Sequence, residues 1–210
     1  MKVAIIPARG GSRRIPRKNF REFHGRPILA YSVDAARASG LFDGGVWVSA
    51  EEQDWGEIGI AAPQAGWIRR YPEYARDEVG TQEVVRHALE VMQGERDRES
   101  AALGTTKPMP DYVCCIYATA PLMLPEDLIS GFQKIGIRGN CYAKSVAPDG
   151  TDAGQWYWGT ARAFIDGVPL VGNTTAYTLP WTRVCDINTE EDWRRAEALY
   201  AALHHRKATA

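Results

Sequence analysis

The sequence has no apolar run near the roughly 20 residues needed to span a bilayer. Met1-Lys2 leads straight into Val3-Ala4-Ile5-Ile6, too short for the core of a secretory signal, so a cytoplasmic protein is expected. No charge of one sign dominates. There are 25 basic and 26 acidic residues, which argues against a general nucleic-acid binder because such proteins are usually clearly basic. Neither a membrane nor a nucleic acid is therefore expected as a partner. Cysteine is sparse: Cys114, Cys115, Cys141 and Cys185 include no CxxC pair. The adjacent two would point to opposite faces of a strand, and buried, reduced thiols without a metal or redox role are expected. His24, His87, His204 and His205 have no metal-ligand spacing, and the last two suit a solvated helix end. No Ser/His/Asp triad and no internal repeat is apparent.

What is present is an alternation of strands and helices. At roughly 100–200 residues per domain, 210 residues imply a single domain over 1–210. Apolar runs predict strands at Lys2 to Ile6, Val46 to Ser49, Tyr112 to Tyr117, Tyr142 to Val146, Gln155 to Ile165 and Val184 to Ile187. Helical spacing predicts helices at Pro27 to Ser39, Thr81 to Met92 and Pro125 to Ile135. A last helix starts near Thr189, with Asp192 placed for a capping box and Trp193, Ala196, Tyr200 and Leu203 on one face. The polar stretch Gln93 to Pro110 is expected to be a surface loop. This order predicts an α/β protein: a mostly parallel sheet between two layers of helices, binding ligands beyond the carboxyl ends of its strands.

The densest local chemistry lies directly behind the first strand, in IIPARGGSRRIPRKNF. Gly10 and Gly11 can take positive φ and let N–H groups converge on an anion, and Ser12 adds a hydroxyl. Arg9, Arg13, Arg14, Arg17 and Lys18 supply the charge a triphosphate needs, with Arg14 and Arg17 as ready to face solvent as ligand. Pro7 and Pro16 stiffen the loop. It is neither GxxxxGK[ST] nor GxGxxG.

These residues resemble the acylneuraminate cytidylyltransferases, whose signature is IPARGGS, a basic residue, then IPxKN. The similarity continues through GRPILAYSVDAARASGLFD, VSAEE, RHALE and YVCCIYATAPLM, and ends in DAGQWYWG and VCDINTEEDWRRAEALY. CCIYATAP and DAGQWYWG look most like the pseudaminic acid branch. The resemblance implies a three-layer α/β/α nucleotide-diphospho-sugar transferase-like (Rossmann-like) fold. It implies attack of a nonulosonic acid's anomeric hydroxyl on the α-phosphorus of CTP, with Mg²⁺ as cofactor. The partners implied are CTP and an acidic nine-carbon sugar. Matched by motif, Arg9, Lys18 and Asp186 are the catalytic candidates. Ala8, Arg9, Gly10, Gly11, Ser12, Arg13, Lys18, Asn19, Arg70, Gly80 and Thr81 are the nucleotide-side candidates. Tyr117, Gln155, Trp156 and Tyr157 are the sugar-side candidates, with Asp186 and Asn188 for the metal. Alternatives are a cytidylyltransferase for sialic, legionaminic or 3-deoxy-octulosonic acid, or an impaired homologue that only binds CTP.

Two departures stand out. Where the family usually has two aspartates, this chain has Asp186-Ile187-Asn188. Asn188 either ligates metal without adding charge or caps the last helix. Between Val146 and Asp152 there is only APDGT, where the family usually carries an excursion that forms part of the sugar site and the dimer. A homodimer is therefore in doubt. In Trp156-Tyr157-Trp158 the tryptophans share one face and Tyr157 takes the other, one face being core and one available to a sugar. Lys144 and Arg162 could pair with a sugar carboxylate.

Overall fold

A computed structural model describes residues 1–104 and 108–208. The elements run β1 (Lys2–Pro7), β2 (Glu22–Phe23), β3 (Arg26–Pro27), α1 (Ile28–Ala38), β4 (Val46–Ala50), α2 (Trp55–Ala61), β5 (Gly66–Arg69) and α3 (Thr81–Leu103). They continue with β6 (Tyr112–Ile116), α4 (Pro125–Phe132), β7 (Tyr142–Val146), β8 (Asp152–Thr160), α5 (Ala161–Ile165), β9 (Thr174–Thr178) and α6 (Glu190–Ala208). Seven strands form one sheet in the order β5-β4-β1-β6-β8-β7-β9, and β2 and β3 form a small separate ribbon. Strands β5, β4, β1 and β6 are mutually parallel, β8 is antiparallel to both neighbours, and β9 is parallel to β7.

Burial on both faces explains the apolar runs in β1 and β6. Ala4, Ile6, Cys114 and Ile116 point into one core with Leu29 and Val33 of α1, Ile58 of α2 and Leu128 of α4. Val3, Ile5, Val113 and Cys115 point into the other with Val85 and Leu89 of α3 and Phe164 of α5. The mostly parallel, three-layer α/β/α arrangement is thus present, and the adjacent cysteines do face opposite ways. A third cluster packs Trp193 and Ala196 of α6 onto Phe23, Ile28 and Ile187. The start of α6 is capped as expected: Asp192 N–H donates to Thr189 Oγ1 (3.2 Å), and Thr189 N–H donates to Asp192 Oδ2 (2.8 Å).

Several boundaries differ from expectation. Gln93 to Leu103 continues α3 as helix, ending at Gly104 in the left-handed conformation; Glu, Arg, Ala and Leu there are strong helix formers despite their polarity. The rest of that predicted loop includes residues 105–107, which lie outside the described residues. Residues 161–165 form α5 rather than the end of a strand, because Thr160 Oγ1 accepts the Ala163 N–H and caps a helix there. Val184 to Ile187 is loop, and β5 and β9 are strands that the apolar runs did not reveal. The predicted helix from Pro125 stops at Phe132. Ala147 to Thr151 is a tight turn closed by Ala147 N–H donating to Thr151 O (2.8 Å). Among the described residues, no helix is long and apolar enough to cross a membrane.

Candidate active site

The chain leaves β1 for β4 on one side and later returns to β6 on the other. Connections diverge there, which opens a crevice at the carboxyl ends of the strands. A cavity of about 610 Å³ occupies it, with Pro7 at the end of β1 and Tyr117, Ala118 and Thr119 just beyond β6 in its wall. The basic loop follows β1 into this space. Arg9, Ser12, Arg13, Lys18 and Asn19 all line the cavity, and so does Arg14. Arg70, Thr81 and Asn188 close it from three other segments.

Arg9, Arg13, Lys18, Asn19 and Arg70 have partners within the protein. Arg9 Nη1 donates to Ala75 O (2.5 Å) and Nη2 pairs with Asp77. That guanidinium holds the Asp77 carboxyl below the usual range. Arg13 lies 3.6 Å from the same carboxylate. Asn19 Nδ2 donates to Arg9 O (2.9 Å), tying the two ends of the loop together. Lys18 Nζ donates to Ile187 O (2.5 Å). Burial pushes the Lys18 ammonium below the usual lysine value; Asp186 and Asp192 oppose this, while Arg14 and Arg9 add to it. Arg70 is 4% exposed and donates from Nη2 to Ser49 O (2.7 Å) and from Nε to Ser49 Oγ (3.3 Å). Burial brings it down to about 10. With Arg76 also in the wall, the cavity gathers cations against one carboxylate, Asp77. Such a site suits a polyanion.

Not every candidate meets the cavity. Neither Gly10 nor Gly11 has positive φ, so the anion nest expected of them is absent. Gly10 N–H instead donates to Asp54 Oδ2 (2.8 Å), and Gly11 is exposed. Ala8 is buried, its N–H donating to Ser49 O (2.9 Å). Gly80 N–H donates to Glu83 Oε2 (3.1 Å) at the start of α3. Arg17 turns away to pair with Asp54 (3.1 Å) and Glu57 (2.6 Å).

On the sugar side the correction is larger. Trp156 is fully buried in the core with Trp158, so it offers no stacking face. Tyr157 is 8% exposed and its hydroxyl donates to Asp152 Oδ2 (2.5 Å). Its ring lies 5.7 Å from that of Tyr117, which reaches the cavity and shares a hydrogen bond with Thr81 Oγ1 (3.0 Å). Gln155 is buried; its Nε2 donates to Arg183 O (2.5 Å), and its Oε1 is without a partner. Lys144 pairs with Asp152 (3.2 Å) and Arg162 with Asp166 (2.6 Å), away from the cavity.

Asp186 and Asn188 do meet without a strand to align them: Asn188 Nδ2 donates to Asp186 Oδ2 (2.6 Å). Thr189 is the cap of α6, so Asn188 does not cap it. Gly154 supports Asp186 at close range. Its φ is +63°, and a Cβ there would sit 3.1 Å from the carboxylate carbon, which accounts for the glycine in DAGQ. Among the described residues, no group of three His, Cys, Asp or Glu side chains is placed to hold a metal. Sequence reasoning missed Tyr74, Arg76 and Asp77, which also form the wall. Their position directly after Arg70, in RYPEYARD, was the available signal.

The family model described as Cytidylyltransferase matches residues 3–151. A pseudaminic acid cytidylyltransferase from Campylobacter jejuni is 29% identical over 237 aligned residues, covering 96% of this chain and 97% of that protein. Among solved structures, CMP:2-keto-3-deoxy-manno-octonic acid synthetase complexed with CTP superposes with a TM-score of 0.67 at 15% identity, covering 96% of this chain and 99% of that one. Rv0371c from Mycobacterium tuberculosis, in complex with manganese, superposes with a TM-score of 0.62 at 15% identity, covering 94% and 97%. The family match runs from the first residues of β1, through the basic loop and the cavity wall, to the turn after β7; the chain belongs to the cytidylyltransferase family.

Proposed function

We propose that the chain transfers CMP from CTP to the anomeric hydroxyl of a nonulosonic acid, releasing pyrophosphate, with pseudaminic acid or a close relative as substrate. The observation that carries this reading is the set of cations gathered behind β1 in one cavity: Arg9, Arg13, Arg14 and Lys18. The substrate class is supported by the near full-length similarity to the Campylobacter jejuni enzyme.

Nucleotidyl transfer needs charge neutralisation and in-line positioning more than covalent catalysis. Arg9, Arg13 and Lys18 neutralise the triphosphate and stabilise charge on the leaving pyrophosphate. Ser12 adds a hydroxyl donor. Asn19 keeps the loop ends together through Arg9 O. Arg70 and Thr81, on the far wall, receive the nucleoside. Tyr117 marks the side from which the sugar approaches, backed by Tyr157 and Asp152.

Asn188 lines the cavity and its amide nitrogen meets the Asp186 carboxylate, so these two side chains would hold a divalent cation, Asp186 through its carboxylate and Asn188 through its amide oxygen once the amide turned over. When bound, it adds positive charge at the phosphates and lowers the pKa of a coordinated hydroxyl. Asn188→Asp sets two carboxylates side by side and is expected to lower the Mg²⁺ concentration for half-maximal rate. An unchanged Mg²⁺ dependence removes Asn188 from the ligand set.

The reading is tested by pyrophosphate release from CTP and Mg²⁺ with separate nonulosonic acids. Release with pseudaminic acid is the expected result. Release only with sialic, legionaminic or 3-deoxy-octulosonic acid moves the specificity. Silence with all of them, while CTP still binds, points to a non-catalytic homologue. The short turn at Ala147 to Thr151 favours keeping that second reading.

A further inference from the structure

We infer that Asp54 is a positioning residue for the triphosphate loop, acting through Gly10 and Arg17. The inference rests on the proposed binding of CTP in the cavity behind β1.

Asp54 lies 44 residues from Gly10 in sequence, at the junction between the short turn after β4 and α2, and it is fully buried. A buried carboxylate needs partners for its charge. It has one at each end of the basic loop. Oδ2 accepts the Gly10 N–H (2.8 Å) and Oδ1 accepts Arg17 Nη2 (3.1 Å). Arg17 holds a left-handed backbone, φ +52°, which is uncommon for a residue with a side chain and marks a shape imposed by its surroundings. Its other partner, Glu57, is 2.6 Å away on α2.

The three groups interlock. A Cβ on Gly10 would sit 2.4 Å from Asp54 Oδ1 and 2.5 Å from Arg17 Nη1, so a side chain there would have to displace the carboxylate–guanidinium pair. The stretch between the two clamped ends carries Ser12, Arg13 and Arg14, all in the cavity wall. Asp54 itself does not line the cavity. It therefore fixes where the loop's donors stand, and it takes one cation, Arg17, out of the anion site.

The test compares Asp54→Asn and Asp54→Ala with the parent protein. CTP affinity is measured by calorimetry without sugar, hydrogen exchange is followed in the loop, and thermal midpoints are recorded. Asn keeps an acceptor for Gly10 but loses the charge facing Arg17, whereas Ala loses both. The expected order of CTP Kd is parent, then Asn, then Ala, with Asn weaker by roughly tenfold, the scale of one lost charge-assisted hydrogen bond. Loop exchange should quicken in the same order, and KM for the sugar should stay unchanged. Gly10→Ala leaves Asp54 in place and covers the case in which the Asp54 variants fail to fold. Its Cβ displaces the same pair and should weaken CTP equally.

Loosened loop exchange with unchanged CTP affinity, or equal losses in CTP and sugar KM, overturns the positioning role. A parent protein that binds CTP tightly while the variants match it defeats only this inference. A parent that binds no CTP defeats the proposed function as well.

Discussion

Lys18→Met is expected to lower kcat/KM for CTP by about 10²–10³-fold, the usual cost of removing one donor aimed at charge that develops in a transition state. The lysine is placed before any ligand arrives, because Ile187 O accepts one of its protons and it stands half-buried in the cavity wall. Two donor positions on the ammonium stay available to phosphate oxygens. Its environment also predicts a pH signature. Burial holds its pKa below the usual lysine value, so the ammonium deprotonates earlier than a free lysine would. The charged form is the active one, so kcat/KM is present on the acid side of that pKa and falls as pH rises through it. The alkaline limb should therefore lie below the range of an ordinary lysine. Lys18→Arg, which keeps its charge at any accessible pH, should move that limb outward even if the rate falls. Steady-state kinetics across the alkaline range checks both statements. An alkaline limb that is identical in Lys18→Arg would assign it to another group.

Trp156→Ala should cost about 3–5 kcal/mol of stability, the range for emptying a large aromatic site in a core. The indole is fully buried, packs with Trp158 and Leu128, and lies 5.8 Å from the Tyr177 ring. For a chain of this length that loss lowers Tm by about 2–4 °C per kcal/mol. The sugar KM should change no more than the CTP KM. Thermal melts and both KM values decide it. A small change in Tm with a selective rise in sugar KM would restore Trp156 to the ligand side. By contrast, Tyr117→Phe removes the hydroxyl bonded to Thr81 at the cavity wall and should act on substrate binding with little effect on Tm.

These cases show what the sequence could and could not reveal. The strands flanking the site are legible because β1, β4 and β6 are buried on both faces and read as dense apolar runs, broken in β4 only by buried Ser49. The loop was legible because its chemistry is contiguous, from Arg9 to Asn19. Strand β9, TTAYT, lies at the sheet edge, half-exposed and polar, so periodicity gave no signal. Strand β5 is four residues long. The end of α3 reads as loop in the sequence because its residues are polar, although their helix propensity is high. For Trp156 and Tyr157, alternation separated the two faces correctly but could not say which faced a ligand. Both are inside, one in each core. Gly10 shows the deepest limit. Its glycine looks like a phosphate-loop feature locally, yet the groups a side chain there would meet are Asp54 and Arg17, and Asp54 follows the strand β4 that pairs in parallel with β1.

The proposed reaction is one chemical event, transfer of the nucleotide's α-phosphorus to an acidic sugar. The most direct test follows the label from CTP radiolabelled at either the α- or the γ-phosphorus, with pseudaminic acid and Mg²⁺. The account predicts α-label in a sugar product with the mass of a CMP conjugate, and γ-label only in pyrophosphate. Label from the γ-position in the sugar, or hydrolysis of CTP without any sugar conjugate, would contradict it.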